Sequence, residues 1–382
     1  MDRLHPRAAA RRIAMFIRLC LAVVISLAAA GPVWASFAPP PPPPPPPQAA
    51  ATCDSSGASS GDTSCPPSSS GGFNQAVTSA GSFQLANTVS GAISGFGAQL
   101  GGGFATGPGG ARFALDGDTG KSAAGAGARW NAWFALSENH LAYTFQPLQS
   151  GGHLDVALAG LDYTFGNNVI LGAALSAERT RISTPFNGGS FSGNGTTLSP
   201  YLSWAISREW ILDAVMGFGS TGITTNDNSV GGGNGNTRDR RTFGSLGLSY
   251  NRLVGRQWQF TARGQVMSAE DRLGAYTLSN GTGVEGSTGR ITQGRIGGQA
   301  AYKLAQGVTP FFGATYIYDL DRRGQAPVAG QSAANDRDSF LLQLGVNFQS
   351  SGRLYGGVLV STEQGRSQVK NDQVLLNVGL RF

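Results

Sequence analysis

Few side chains in this sequence could serve as a nucleophile or a general base. Beyond residue 35 the histidines are His140 and His153, and Ser137 lies close to His140. A serine activated by a histidine could hydrolyse a substrate at a cell surface. Both histidines flank a predicted outer loop, so we interpret them as exposed loop residues. We therefore predict that the protein is not an enzyme.

Carboxylates on predicted strands form the second group that could do acid–base chemistry. The charges of each strand fall on one of its two faces. The acids on these faces include Asp162, Asp213, Asp319 and Asp321, and the bases include Arg263, Arg295, Lys303 and Arg381. Charges at membrane depth are costly unless they are paired. Where such faces line the inside of a barrel, we expect the two sets to neutralise each other.

Two short motifs resemble ligand-binding loops but lack required residues. Gly120-Lys121-Ser122 would need a glycine at position 115 to form a phosphate loop, and the chain has Leu115 there. Asp116-Gly117-Asp118 lacks the third ligand and the closing Glu of a calcium loop. We interpret both as solvated turns.

Cys53 and Cys65 remain after removal of the N-terminal leader described below. They could close a small disulfide loop or stay free thiols, and an oxidising compartment favours the disulfide. Their surroundings contain no His and no second Cys pair, which argues against a zinc site. The sequence thus predicts no cofactor and no metal.

The composition limits the class of protein. Charged residues make up 13% of the chain, against about 25% in soluble domains. The 57 glycines in 382 residues exceed the usual share of about 7%. The net charge is +6, but five Arg and one Asp in residues 1–35 account for +4 and leave +2. Without a basic stripe, this balance predicts no nucleic-acid partner.

The N-terminal part divides into a leader and a low-complexity segment. Residues 1–35 combine a basic start with a short apolar core, which is typical of a signal peptide, and we predict cleavage after Ala35. Residues 36–72 are rich in Pro, Ser and Gly. They cannot bury a core, so we predict that they are disordered. The nine prolines at 39–47 would form a stiff spacer of about 28 Å.

Residues 73–129 contain a candidate helix and a linker. Apolar residues recur at helical spacing between Phe73 and Leu100, and residues 66–111 carry no charge. An uncharged amphipathic helix suits a segment held in a pore, because every buried charge there would need a partner. Several glycines lower the helix propensity, so a flexible linker stays open as the alternative.

Residues 130–382 alternate apolar and polar residues, and we place twelve strands there. The strand from Phe340 to Phe348 shows the pattern most clearly: Leu342, Leu344 and Val346 lie on one face. Such strands meet lipid with one face and a wet lumen with the other. The predicted fold is therefore all-β, a membrane-spanning antiparallel up-and-down β-barrel of about twelve strands.

The connections between these strands alternate in length. Short turns are predicted at 166–168, 207–209, 255–256, 305–307 and 350–352, and longer loops at 146–152, 184–195, 225–240, 279–289, 322–336 and 365–371. This alternation is typical of outer-membrane barrels. Aromatic residues beside the short turns predict a periplasmic girdle, formed by Tyr163, Phe165, Trp204, Trp210, Tyr250, Trp258, Tyr302, Phe348, Tyr355 and Phe382.

The last strand is apolar on one face and ends the chain on an aromatic ring. Counting by twos, its apolar face consists of Val374, Leu376, Val378, Leu380 and Phe382. The chain as a whole resembles the translocator domain of autotransporters, the type V secretion proteins. The features that carry the resemblance are the leader, the candidate helix, the barrel pattern, this last strand, and Gly160 to Gly166 (GLDYTFG).

The resemblance covers roughly residues 73–382 and implies several properties. The terminal strand would be the signal read by the β-barrel assembly machinery, with periplasmic chaperones escorting the chain to outer-membrane lipid. The barrel would be a monomer, hold the helix in its pore and leave an N-terminal passenger at the surface. Two departures matter: residues 36–72 are a very short passenger, and the Asn167-Asn168 pair lies in a turn rather than in the helix, which argues against self-cleavage.

These observations favour an outer-membrane barrel of autotransporter type that exports its short N-terminal segment. The alternative is a plain outer-membrane channel, or a structural or adhesive surface barrel, without export activity. The two differ in whether the pore is filled and whether the N-terminal segment is outside. In either case we expect the outer membrane of a bacterium with two membranes, with the loops at the cell surface.

Overall fold

The computed structural model describes residues 70–97, 129–144, 149–165, 168–228, 232–255, 257–304, 307–323, 337–349, 354–366 and 369–382. The predicted signal peptide with its cleavage site at Ala35, the residues Cys53 and Cys65, and the linker 98–128 lie outside the described residues. No helix in the described ranges is both long and apolar enough to cross a membrane.

Twelve antiparallel strands close into a barrel, as the alternation predicts. They are β1 (Trp130–Tyr143), β2 (Ser150–Phe165), β3 (Val169–Thr184), β4 (Gly189–Ala205), β5 (Trp210–Asn226), β6 (Asn234–Val254), β7 (Trp258–Leu273), β10 (Ser287–Tyr302), β11 (Val308–Arg323), β12 (Asp338–Gln349), β13 (Leu354–Gln364) and β14 (Val369–Arg381). A small hairpin of β8 (Tyr276–Thr277) and β9 (Gly283–Val284) follows β7.

The barrel closes where the first strand pairs with the last. The β1–β14 pairing runs from Asn131 opposite Arg381 to Tyr143 opposite Val369. Backbone hydrogen bonds in both directions between Trp130 and Phe382 extend it to the end of the chain. A closed barrel pairs the backbone groups of every strand on both sides, which a bilayer requires.

Side chains alternate between the outer surface and the lumen, because successive residues of a strand point to opposite faces. Leu344 is 60% exposed and Ile296 is 67% exposed, while Asn347 and Gln293 are buried inside. On β14 the predicted apolar face points outward, and its exposed members are Val374, Leu376, Val378, Leu380 and Phe382. The outer face therefore carries the apolar band that lipid would cover.

The connections follow the predicted alternation only in part. At one end, here called the turn side, the connections span 166–168, 206–209, 255–257, 303–307 and 350–353, and both Trp130 and Phe382 lie there. At the opposite end, the loop side, the predicted loops 184–195 and 365–371 are wrong, since only residues 185–188 and 365–368 connect the strands. Residues 234–240, predicted as loop, belong to β6.

The strands are longer than the predicted ones for a physical reason. About 9–11 residues suffice to cross a bilayer, yet β5 spans 17 residues and β6 spans 21. The polar residues beyond the apolar band keep their ladder hydrogen bonds and so continue the strands. Side-chain polarity reports where lipid contact ends, not where strand pairing ends.

The predicted helix is present as α1 (Ser70–Gly97), so the flexible-linker interpretation is wrong. It lies in the lumen and packs most closely against β4, β5, β6, β7 and β10. Its description as amphipathic is also wrong, because apolar Leu85 and Val89 and polar Ser82 and Thr88 are all buried. A helix enclosed by a barrel has no side that faces bulk solvent, so its polar side chains are buried as well as its apolar ones.

The aromatic girdle is present on the outer surface beside the turn side. Trp130 packs on Tyr163, Trp210 on Tyr250 and Trp258 on Tyr302, with ring centroids about 5 Å apart. Tyr355 is the exception among the predicted members, because it points into the lumen and is 1% exposed. Tyr355 is predicted in the girdle because it lies near a turn. It is an odd number of residues from the exposed Val360, so the alternation of the strand places it on the inner face.

Candidate functional site: the helix-filled lumen

Contacts along helix α1 show which way it runs through the barrel. Ser79 and Ser82 lie beside Asp271, close to the loop-side end of β7. Ser90, further along, contacts Ser245 of β6 and Gln265 of β7, in the middle of their strands. The N-terminal end of α1 is therefore at the loop-side mouth, and the helix descends towards the middle of the lumen.

Amide and hydroxyl side chains connect α1 to the barrel wall without any charged residue of the helix. The Gln84 side chain donates to Asn139 Oδ1 of β1 at 2.7 Å and accepts from Asn371 Nδ2 of β14 at 2.7 Å. Gln373 Nε2 donates to Thr88 Oγ1 at 2.9 Å and to Ser137 Oγ at 2.9 Å. Each neutral hydrogen bond contributes roughly 1 kcal/mol. Together they link the helix to the two strands that close the barrel, β1 and β14.

One buried ionic cluster lies in the loop-side half of the lumen, next to the start of α1. The Arg241 guanidinium, 4% exposed, contacts Glu178 of β3 at 2.5 Å and Asp239 at 3.3 Å. Asp271 of β7 lies close enough to interact electrostatically with Arg241. One cation thus serves three buried carboxylates. Breaking such a pair leaves an uncompensated charge in a medium of low dielectric constant.

Sequence reasoning missed this cluster because residues 225–240 were predicted as a loop. The alternation itself continues: Asp239, Arg241 and Phe243 are all buried on the inner face of β6. That continuation of the period-two pattern through a polar segment could have placed Asp239 and Arg241 on the inner face, although it could not have shown their partners on β3 and β7.

A second ionic cluster lies at the loop-side end of the lumen, near β11 and β13. Arg366, from the connection 365–368, bonds both oxygens of Asp319 at 2.9 and 3.0 Å and contacts Glu363 at 2.8 Å. Arg322 also contacts Asp319. Ser339 donates to Glu363 at 2.7 Å. A loop-side connection is thereby held inside the mouth of the barrel.

The predicted neutralisation inside the lumen is observed for some of the charges. Arg263 makes a two-pronged contact to Asp213 at 2.5 and 2.7 Å. Arg295 lies over the Phe83 ring of α1, with its Cζ 5.3 Å from the ring centroid. Asp162 is buried and accepts hydrogen bonds from neutral groups, and Arg381 lies over Tyr355. Arginine can be accommodated by aromatic faces as well as by carboxylates.

The prediction that Asp321 faces the lumen is wrong. The β10–β11 register shifts between Thr292 and Gln293, so Gln293 pairs with Asp319 and Thr292 pairs with Asp321. The extra residue of this β-bulge turns Asp321 to the outer surface. There it pairs with Arg323 at 3.1 Å.

A network of polar and aromatic side chains lies in the turn-side half of the lumen. Tyr355 of β13 donates to Asn131 of β1 at 2.7 Å, and Asn131 donates to Asp162 at 3.1 Å. Tyr201 donates to Asp162 at 2.6 Å and accepts from Trp133 at 2.8 Å. The Tyr355 ring crosses Gly379 of β14, where a Cβ atom would meet the ring at 2.0 Å. This network bridges the closure between β14 and β1.

The structure separates the residues that suggested a hydrolase. Ser137 is buried on the lumen face of β1, and His140 is exposed on the outer face. The His140 ring packs beside His153, with centroids 5.0 Å apart, and His153 lies 3.3 Å from Glu138. The serine and the histidine cannot act as nucleophile and base, because the wall of the barrel lies between them.

Taken together, a closed twelve-stranded barrel with an apolar outer band and an enclosed helix defines an outer-membrane barrel of the translocator type. The family model "Autotransporter beta-domain" matches residues 137–361, which is more than half of the chain. The chain belongs to the autotransporter β-domain family, and the barrel is an outer-membrane autotransporter barrel.

Solved structures show the same fold. The translocator domain of the autotransporter NalP from Neisseria meningitidis matches with a TM-score of 0.58 and 15% identity, over 66% of this chain and 89% of that chain. The β-domain of the Bordetella autotransporter BrkA matches with a TM-score of 0.58 and 16% identity, over 66% of this chain and 100% of that chain. At these identities the likeness concerns the fold alone. No curated protein matches this chain in sequence.

Proposed function

We propose that this barrel exports its own N-terminal segment to the cell surface and retains α1 as the last part of the transported chain. The observation that carries the proposal is the direction of the helix. The N-terminal end of α1 is at the loop-side mouth, whereas β1 begins at Trp130 on the turn side. The two described segments thus begin at opposite ends of the barrel, as expected if the N-terminal segment was exported through the lumen.

The chemistry of α1 suits a segment that moves through a lined pore. Residues 66–111 contain no charged side chain, and the described part of the helix presents small hydroxyl, amide and aliphatic groups. Neutral groups cost less to move past the buried ions of the wall than a charge would. In the final position, Gln84, Thr88 and Ser90 exchange hydrogen bonds with the strands.

The exported part would be residues 36–72, of which 70–72 begin α1 at the loop-side mouth, with the loop side of the barrel and its connections at the cell surface. The activity would be non-enzymatic, because the Ser137 and His140 side chains lie on opposite faces of the wall. A plain channel or adhesive barrel is the competing function. It would leave the N-terminal segment in the periplasm.

Insertion would depend on the terminal strand. The outward row Val374, Leu376, Val378, Leu380 and Phe382 would be read by the assembly machinery before closure, after periplasmic chaperones deliver the chain. Once β1 pairs with β14, the barrel has no free edge to recruit another copy. We therefore propose that the protein is a monomer.

An epitope tag inserted near Ser56 tests export. We expect antibody to label this tag on intact cells. The control is the same tag in the turn 206–209, which should be labelled only after permeabilisation because it lies on the turn side. If both tags need permeabilisation, the export proposal is wrong and a plain barrel remains. If both tags label intact cells, the outer membrane is leaky and the orientation must be measured in sealed cells.

A further inference from the structure

Five exposed arginines gather on the outer surface of the barrel, just beyond the loop-side edge of the apolar band. They come from β6, β7, β10 and β11: Arg238, Arg240, Arg272, Arg290 and Arg323. We call them the arginine patch. The carboxylates among them are Glu270 and Asp321. If every group is ionised, the patch carries a net charge of about +3.

The register places like charges directly opposite each other in this patch. Arg240 pairs with Arg272 across β6 and β7, and Arg290 pairs with Arg323 across β10 and β11. Like charges in directly opposed positions destabilise a sheet. Glu270 contacts Arg272 at 2.9 Å and Arg290 at 3.9 Å, and Asp321 contacts Arg323. Among the described residues, Arg238 and Arg240 form no ion pair.

The height of the patch relative to lipid is set by the same register. Gly294 lies four residues further along β10 than Arg290, towards the turn side. It pairs with Val266 of β7 and Tyr318 of β11, and the three form a row of lipid-facing residues. With a rise of about 3.4 Å per residue and a strand tilt of roughly 40°, Arg290 lies about 10 Å above that row. We place the arginine patch at the depth of lipid headgroups on the loop side, because it lies beyond this row of lipid-facing residues.

The opposite wall of the barrel provides a comparison at similar depth. On β1 to β3 the exposed charges are mixed, with Arg181 3.7 Å from Asp155 and His153 3.3 Å from Glu138. The exposed charges of β1 to β3 thus include both signs, whereas β6, β7, β10 and β11 carry an excess of positive charge. A local excess in the headgroup layer points to an anionic group that lies against this wall.

We propose that the arginine patch binds a phosphorylated glycolipid of the outer leaflet, of the lipid A type. Arginine binds phosphate through paired N–H donors, and lipid A presents two phosphates on a sugar headgroup above its acyl chains. Phosphate between Arg240 and Arg272 would relieve their repulsion, while the acyl chains cover the apolar wall beneath. The proposal rests on the orientation in the proposed function, with the loop side outside.

The test uses the full-length protein purified in detergent micelles and a fluorescent lipid A that carries both phosphates. The variant is the pair Arg240→Gln and Arg272→Gln. The control is the pair Arg179→Gln and Arg181→Gln, which removes two exposed charges from β3 in the mixed-charge wall. We expect the first variant to weaken binding by roughly tenfold or more, because charge-assisted hydrogen bonds are lost. The control should bind as the unmodified protein does.

Three outcomes would overturn the proposal. Equal affinity for lipid A with and without its phosphates would show that only acyl chains bind. Equal weakening by both variants would show a general effect of net charge. Displacement by inorganic phosphate at the same phosphate concentration would show a simple anion site rather than a lipid site. Binding in detergent does not depend on orientation, so this test and the surface-tag test can fail separately.

Discussion

Arg241 offers the sharpest test of how the lumen holds together. Replacing it with Met keeps most of the side-chain volume and removes the cation that contacts Glu178 and Asp239 and lies near Asp271. Because all four side chains are buried, the remaining carboxylates would have no opposite charge at contact distance. Removing one partner of a buried ion pair costs about 3 to 5 kcal/mol. We expect Arg241→Met to destabilise the barrel by that amount.

The matched control is Arg181→Met on β3, whose exposed guanidinium lies 3.7 Å from Asp155. Exposed ion pairs contribute about 0 to 1 kcal/mol, so this variant should unfold close to the unmodified protein. The assay is urea unfolding of the refolded barrel in micelles, with the folded fraction read from its heat-modifiable mobility on a gel.

A second change separates charge from packing. Glu178→Gln in the Arg241→Met background removes one of the buried negative charges and should restore part of the lost stability. If Arg241→Met loses no more stability than Arg181→Met, the cluster is not a source of stability. If the added Glu178→Gln makes the barrel still less stable, the loss is one of packing rather than of charge.

Three further changes probe the wall and the closure. Leu344→Arg should destabilise the inserted barrel by about 2 to 4 kcal/mol and so lower the assembly yield, because this side chain faces lipid. Gln343→Arg should be tolerated, because that side chain faces the lumen. Equal assembly yields for the two variants would refute the register. Gly379→Ala should lower the free energy of unfolding in urea by about 1 to 3 kcal/mol, since the Tyr355 ring occupies the space that the new methyl group needs. The control is Gly264→Ala, whose methyl group would meet no atom within 4 Å and should leave the stability unchanged. Deleting Phe382 should reduce insertion in cells but leave refolding in detergent intact, and equal losses would limit its role to packing.

Much of the barrel could be predicted because lipid imposes a simple rule on the sequence. Each residue of a spanning strand faces either hydrocarbon or a wet lumen, so Leu344 lies between Gln343 and Gly345, and Val378 and Leu380 alternate with Asn377 and Arg381. The rule acts on each strand separately. The strand number and the outward face of the last strand follow from such local patterns, and the helix before the barrel follows from apolar residues at helical spacing.

The tertiary structure decided what no single strand contains. Glu178, Arg241 and Asp271 meet because barrel closure brings β3, β6 and β7 around one helix, and their separation in the chain leaves no local signal of that meeting. One extra residue at the β10–β11 bulge moved Asp321 from the lumen to the outer surface. Alternation determines which face a side chain takes within a strand; register and closure, which depend on pairing between distant segments, determine its partners.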